Sequence, residues 1–368
     1  MRREKALYLI SAIVMVCVML SSFGRSISID KRGIVHAMGI DECDGGYRVS
    51  LQIFQPGGGG ADTAVDVTKP NVTPAVCEGR TVSDALAKAK SSTGKELFFG
   101  HLQLICLGRG TPLDDPDDLF AFALGDKNIS PSANVCMAEK TAEELITVSV
   151  GITEEETSAE ALTRLLEVSR EYSDTTGCDL IDILSAEQVP TIPVLRVKSS
   201  DTDSGEGSTE VSSIIELAGT SAGSGGTMLD TKEALAAAML SGKADKGHIV
   251  SEISAGSVTS SLDSFSIKRD IDIKDGRLVV TSKIKLTAAP DRVMNSSQCA
   301  ELSNAISAEL EKNCLELQRK MYSEGRDIFG TQKLIKHRMP ELWLKYSSSP
   351  ESLLKAAVPV TEVEVRVV

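Results

Sequence analysis

Apolar residues recur along this 368-residue chain at one spacing typical of strands and at another typical of helices. Apolar-rich runs over 34–40 and 47–54 flank Asp44-Gly45-Gly46. They predict a β-hairpin, because glycine tolerates the positive φ of a tight turn. Other strand-like runs cover 97–107, 133–138, 191–198, 211–217, 264–273, 277–286 and 358–367.

Apolar positions three and four residues apart predict the helices. A helix from Thr81 to about residue 91 begins with a Thr81/Asp84 capping pattern and ends at Gly94. From Cys299 to Met321 an apolar stripe continues for about six turns. Further helices are predicted over 113–124, 158–172 and 231–240. We therefore expect a multi-domain α+β fold of mixed sheets and helices, with a C-terminal antiparallel sheet packed on one long helix.

The length of the chain favours more than one domain, because single cores seldom grow beyond about 250–300 residues. We predict an N-terminal segment over 1–25, an N-terminal domain or domains over 26–205 and a C-terminal domain over 206–368. The limit falls in the polar stretch 199–210, which is either a linker or the tip of a long hairpin.

A basic start over residues 1–5 precedes an almost wholly apolar run over 6–23, which predicts a membrane-targeting segment. The length of the run favours a retained transmembrane anchor, whereas Ser22-Phe23-Gly24 fits signal-peptidase cleavage. Both alternatives stay open. In either case the basic residues stay inside, so the chain beyond about residue 25 is exported.

The net charge of −13 and an aromatic content of 4% argue against nucleic-acid binding. Seven cysteines follow the apolar run, and no two have a C-x-x-C spacing. Several occupy apolar positions, which predicts buried, reduced thiols, although one or two disulfides remain an alternative.

Four sequence blocks combine glycine with charged or aromatic residues beside predicted elements. The first joins Gly39-Ile40-Asp41 with Tyr47-Arg48-Val49, and the second is Glu78-Gly79-Arg80-Thr81. The third is Glu96-Leu97-Phe98-Phe99-Gly100-His101-Leu102. The fourth runs from Gly325 to Trp343, the only Trp of the chain.

In order and spacing these blocks resemble the Ger(x)C family, the C subunits of spore germinant receptors, over residues 33–368. The resemblance implies a subunit without catalysis or cofactor on the outer face of the spore inner membrane. It would assemble with membrane-embedded A and B subunits that sense nutrients and trigger ion release at germination. The resemblance marks these residues as structural or partner-contact positions: Gly39, Asp41, Gly79, Gly100, His101, Asp327, Phe329 and Trp343.

The chain departs from the family pattern at three places. No lipid-modified Cys ends the apolar run, and Gly125-Asp126 stands where the family tends to have Arg-Asp. Gly219-Thr220 is followed by small residues instead of an apolar strand. A site built on that strand would therefore be lost.

Few residues suggest a catalytic or metal-binding site. Gly219-Thr220-Ser221-Ala222-Gly223 fits a nucleophile elbow, with His248 or His337 as base, but the helix that must follow the Ser is replaced by glycines. The four histidines lack metal-ligand spacing, so no metal is expected. The aspartates around Pro116 fit a helix start better than a Ca²⁺ loop. An exported esterase and a tethered solute-binding protein remain alternatives to the receptor subunit.

Three block positions allow a structural or a contact role. We expect His101 to be a structural histidine in a strand, with a subunit contact as the alternative. Arg326, Asp327 and Phe329 would form a capped turn that fixes the next helix, or else an interface patch. Trp343 would anchor the C-terminal core, with an exposed contact residue as the alternative.

Overall fold

A computed structural model describes residues 13–15, 31–54, 72–112, 116–147, 157–185, 190–199, 207–216 and 228–368. The predicted membrane segment over 6–23 lies almost entirely outside these residues. Across the part described, no helix has both the length and the apolar character needed to span a membrane. The described chain forms an α+β structure with one sheet of nine strands and another of four.

The first sheet takes the order β3-β2-β1-β5-β6-β7-β8-β9, with β4 paired to β1. Its strands are β1 Arg32–Cys43, β2 Gly46–Phe54, β3 Val72–Gly79, β4 Glu96–Phe98, β5 Leu104–Leu107, β6 Asn134–Ala138, β7 Thr191–Ser199, β8 Gly207–Glu216 and β9 Met228–Leu229. The centre, β1-β5-β6-β7, is parallel. Antiparallel pairs flank it on both sides. The predicted β1–β2 hairpin is confirmed.

We call residues 31–229 the N-terminal half and residues 230–368 the C-terminal half. The helices of the N-terminal half are α1 Val82–Thr93, α2 Pro116–Leu119, α3 Ala121–Gly125, α4 Ala142–Thr147, α5 Ser158–Glu171 and α6 Leu180–Leu184. The predicted α1 is confirmed, because Thr81 Oγ1 accepts from Asp84 N at 3.1 Å and Gly94 ends the helix with φ 64°. The run 113–124 contains two short helices, with 113–115 outside the described residues.

Strand β5 shows why the centre of the sheet is continuously apolar. Ile105 and Leu107 pack into one hydrophobic cluster, which includes residues of α1. Leu104 and Cys106 pack into another on the opposite face, with residues of α4 and α5. A parallel strand covered on both faces has no solvent side, so all four residues of β5 are buried.

The predicted single strand over 97–107 is wrong. The chain forms β4, turns through Phe99–Gln103, and continues as β5. In the turn, Leu102 N donates to Phe99 O at 2.9 Å. Both short strands pair with β1, on either side of an irregularity between Val35 and Ala37. Two short strands, each paired parallel to β1, therefore replace the one long strand that hydrophobicity predicted.

The C-terminal half forms the second sheet, in the order β10-β11-β12-β13. Its strands are β10 Gly247–Ile253, β11 Gly256–Lys274, β12 Arg277–Pro290 and β13 Val358–Val367; its helices are α7 Thr231–Ser241, α8 Ser296–Glu324, α9 Thr331–Arg338, α10 Pro340–Tyr346 and α11 Pro350–Lys355. The long helix is confirmed as α8. It buries the predicted stripe from Leu302 to Met321 in the hydrophobic core between the second sheet and its helices, which we call the second core.

The expectation that this sheet is antiparallel throughout is wrong at its last strand. β10, β11 and β12 are antiparallel neighbours, but β13 runs parallel to β12, with Val279 opposite Val358 and Ala288 opposite Val367. The reason is the connection: α8 to α11 form a long crossover that returns the chain to the starting end of β12. The sheet is therefore mixed.

The stretch predicted as a linker or hairpin tip lies between β7 and β8, which pair antiparallel from Thr191↔Glu216 to Ser199↔Gly207. Residues 200–206 are outside the described part. The predicted limit at residues 205/206 falls in this hairpin, and β8 belongs to the first sheet. The division into domains remains a prediction.

Candidate functional site

The first block places Asp41 as a cap between distant elements. Its Oδ1 accepts from the backbone N–H of Ala142 at 2.7 Å, and its Oδ2 accepts from Glu143 N–H at 3.0 Å. These donors open α4, 101 and 102 residues further along the chain. A Cβ at Gly39 would lie 3.0 Å from Ala142 Cβ, and one at Gly108 would overlap Asp41 Oδ1. The contacts of this block therefore position α4 against β1.

Replacing Asp41 by Ala should destabilise the protein by about 1–3 kcal/mol, because two backbone donors at a buried helix start lose their acceptor. Urea unfolding followed by circular dichroism measures the change. Glu42→Ala removes an exposed carboxylate next along β1 and should stay within about 0.5 kcal/mol of wild type. Equal losses in the two variants would contradict the capping role.

The second block brings strand β3 into close contact with α1. A Cβ built on Gly79 would overlap the backbone N of Ala85 and lie 2.9 Å from the Cα of Ala85. Only glycine permits this approach without a shift of the helix. Beside it, Arg48 and Glu78 form an ion pair of 2.7 Å that is about half exposed, so it adds little stability.

The third block forms a cluster of rings at the β4–β5 turn. His101 is exposed in this turn rather than within a strand, 6.1 Å from the Phe98 ring and 6.4 Å from His36. His36 stacks on Phe54 at 5.5 Å. Burial lowers the pKa of His36, with a smaller upward contribution from a nearby glutamate. A Cβ at Gly100 would lie 2.4 Å from the nearest atom of the Phe98 ring, so a larger residue there would require this ring to move.

In the fourth block, the carboxylate of Asp327 caps the start of α9. Its Oδ1 accepts from the N–H of Phe329 at 3.2 Å and of Thr331 at 2.9 Å. Its Oδ2 accepts from Gln332 N–H at 2.6 Å. Asp327 is 2% exposed. Burial raises the pKa of this carboxyl, while the three N–H donors and Arg269 act to lower it.

The two aromatic residues of the fourth block, Phe329 and Trp343, pack on the second core. Phe329 is buried and meets Tyr322 of α8 edge to face, with 6.2 Å between the ring centroids. The Tyr322 and Thr331 hydroxyls share a hydrogen bond of 2.8 Å. Trp343 is partly buried on the same core, and the adjacent Leu344 is 72% exposed. The block therefore holds α8, α9 and α10 together and leaves an apolar residue at the surface.

Of the three residues considered for catalysis, the structure describes the two histidines but not the serine. Ser221 and its glycine neighbours lie outside the described residues, as do Asp114 and Asp115. His248 is exposed on β10, and His337 is exposed at the end of α9. Over the described ranges, no group of three or more His, Cys, Asp or Glu side chains is arranged to hold a metal ion.

The seven cysteines beyond the apolar run are free thiols, and Cys106, Cys136, Cys178 and Cys314 are buried. Burial raises the pKa of Cys314 to about 12, so this thiol is neutral at physiological pH. Neutral buried thiols are poor nucleophiles and pack as small apolar side chains.

A contact centred on Lys246 joins the two halves of the chain. Its backbone N–H donates to Glu171 O at 2.8 Å, and its carbonyl accepts from Ser173 Oγ at 2.6 Å. Its Nζ pairs with the Glu171 carboxylate and lies 5.8 Å from the centre of the Tyr172 ring. Ser173 is buried and has φ 58°, a conformation that such contacts must stabilise. The end of α5 is thus fixed against the loop before β10.

Beside this contact a cleft of about 360 Å³ opens between the halves. Residues of the segment after α5 face residues of α7, β10 and α8 across it: Tyr172, Ser173, Asp174, Thr231, Lys232, Leu235, His248, Ile249, Val250, Glu309, Leu310 and Asn313. The cleft was not expected from the sequence because β10 was not predicted. This strand buries every second residue from Gly247 to Ser251, but the polar Ser251 on the buried face weakens its apolar pattern.

The two sheets and their helices have the fold of a known structure. The fold matches the crystal structure of the GerBC protein with a TM-score of 0.56, over 90% of this chain and 96% of that chain. The two sequences are 16% identical, so the likeness is one of fold.

Sequence comparison gives the family. Residues 25–197 match the spore germination protein N-terminal domain, and residues 226–367 match the spore germination B3/GerAC-like C-terminal domain. The chain is also 22% identical over 353 residues to spore germination protein KC of Bacillus subtilis (strain 168), covering 89% of this chain and 86% of that protein. The chain belongs to the Ger(x)C family of germinant receptor C subunits.

Proposed function

We propose that this protein is a non-catalytic C subunit of a nutrient germinant receptor. It would be tethered on the outer face of the spore inner membrane and assembled with membrane-embedded A and B subunits. The observation that carries this proposal is the match to both family domains in order, over residues 25–197 and 226–367.

The chemistry of the sequence blocks supports a structural rather than a catalytic role. Asp41 and Asp327 are the buried carboxylates of these blocks, and both accept backbone N–H groups at a helix start. A carboxylate used in this way positions an element. The exposed residues of the same blocks, such as His101, are the ones we expect to contact partner subunits.

The tether in this proposal is the apolar run over 6–23, retained as a transmembrane anchor. A single spanning helix would hold the exported domains at the membrane more firmly than one lipid chain. This would compensate for the lack of a lipid-modified Cys at the end of the run. Cleavage at Ser22-Phe23-Gly24 would instead release the protein, and the mass of the mature chain distinguishes the two outcomes.

Affinity purification from detergent-solubilised spore membranes tests the assembly. A C-terminal tag is suitable because Val368 follows β13 and is 64% exposed. We expect two polytopic membrane proteins to co-purify in similar amounts, as identified by mass spectrometry. The same tag on an unrelated membrane-anchored spore protein serves as control. Recovery of the tagged chain alone would contradict the proposal.

A tethered solute-binding protein is the second candidate, and the cleft between the halves is the observation that favours it. Such a protein would act without A and B subunits. It would be recovered alone in the same purification, and its thermal midpoint would rise with its ligand.

A further inference from the structure

We propose that the cleft between the two halves binds a small organic cation, specifically an amine with an apolar body. This inference goes beyond the proposed receptor role and does not depend on partner subunits. It rests on the shape of the cleft, on its apolar lining and on the charges that face it.

The position and size of the cleft suit a small molecule. Its volume of about 360 Å³ lies within the range of roughly 300–1,000 Å³ typical of ligand sites, which often form between domains. Tyr172 and Ser173, which both contact Lys246, are part of the lining of the cleft. A ligand there would touch Tyr172–Asp174 from one half and α7, β10 and α8 from the other.

The lining is mainly apolar. Leu235, Ile249 and Leu310 contribute to it from α7, β10 and α8. Tyr172 and Val250 also line the cleft, although 45% and 55% of their surfaces are exposed to water. Large apolar side chains that face water inside a concave site gain free energy when an apolar group covers them. This accounts for the apolar body of the ligand.

The charges in the cleft favour a cation over an anion. Asp174 and Glu309 contribute carboxylates, and Lys232 is the only Lys or Arg of the lining. Lys232 Nζ already pairs with Glu309 at 3.4 Å. Among the described residues, no cation forms an ion pair with Asp174, which is half-buried opposite His248. Burial raises the pKa of Asp174, and an ammonium group beside it would lower that pKa by stabilising the carboxylate.

The test uses three probes that share an aromatic eight-carbon skeleton and differ in the head group: 2-phenylethylamine, 2-phenylethanol and phenylacetate. Each is titrated calorimetrically into the full chain in detergent. We expect the amine to bind at least about tenfold more tightly than the alcohol, and phenylacetate to give no binding heat. Equal affinity for amine and alcohol would overturn the inference, as would binding by none of the probes.

Two variants locate the site. Asp174→Asn keeps the shape of the side chain and the hydrogen bond from its backbone N–H to Ser169 O. It should reduce the affinity for the amine about tenfold, to that for the alcohol. Val250→Lys adds a cation at the exposed rim and should also weaken amine binding. Asp272→Asn is the control. Asp272 lies on β11, twelve positions beyond Ser260, which pairs with Ile249 of the cleft, so this variant should bind the amine like wild type.

The thermal midpoint of each variant without probe shows whether its fold is intact. Adsorption of the amine to detergent micelles would be the same for all variants. Unchanged amine affinity in a folded Asp174→Asn protein would therefore overturn the inference. Loss of amine binding would leave the purification with partner subunits unaffected, so the two proposals fail separately.

Discussion

Asp327→Ala should destabilise the C-terminal half by about 3–5 kcal/mol, because one backbone N–H donor in the turn before α9 and two in its first turn lose their acceptors. The same change removes a carboxylate that faces the partly buried Arg269. Trp343 is the single Trp of the chain and packs on this core. Its fluorescence during urea unfolding therefore reports the loss directly.

Asp327→Asn distinguishes the contributions of the two carboxylate oxygens of the cap. The amide oxygen can still accept from Phe329 and Thr331, which both bond Oδ1. The amide NH₂ would replace Oδ2 and face the Gln332 N–H, donor against donor. We expect a loss of about 1–2 kcal/mol, clearly smaller than that of the Ala variant. An Ala variant within about 0.5 kcal/mol of wild type would show that the capped turn does not stabilise the half.

Gly79→Ala should destabilise the N-terminal half by about 3 kcal/mol or more. The added methyl group would overlap the backbone of Ala85, which cannot rotate away as a side chain can. Either β3 or α1 must move, and both contribute to the hydrophobic cluster that contains Ile105 and Leu107. Circular dichroism during thermal unfolding measures the effect.

Gly125→Ala is the matched control for this prediction. Gly125 ends α3, and a Cβ there would meet no atom within 4 Å. We expect it to be neutral or stabilising by about 0.5 kcal/mol, because alanine restricts the unfolded chain. If both glycine variants unfold at the same temperature, the close approach of β3 and α1 is not required for stability.

Local patterns were sufficient for elements that carry their own signals. The stripe of α8 could be predicted because its apolar positions recur at helical spacing, and α1 because Thr81 and Gly94 mark its ends. The β1–β2 hairpin could be predicted from its turn. Each of these depends on residues that are close in sequence.

The candidate site was harder to predict because its contacts join residues that are distant in sequence. The blocks could be found as motifs, but the role of Asp41 depends on donors 101 and 102 residues away. The turn and cap of Asp327 are local and were expected as one alternative. The cleft combines residues after α5 with residues of α7, β10 and α8, so no single segment indicates it.

The sequence by itself thus determined the α+β class, the long helix and the family blocks. Tertiary structure decided the division of 97–107 into two strands, the parallel pairing of β13 and the cleft between the halves. Strand partners and clefts are set by contacts between distant segments. Side-chain periodicity reports only whether a residue faces a core, and leaves open which element will cover it.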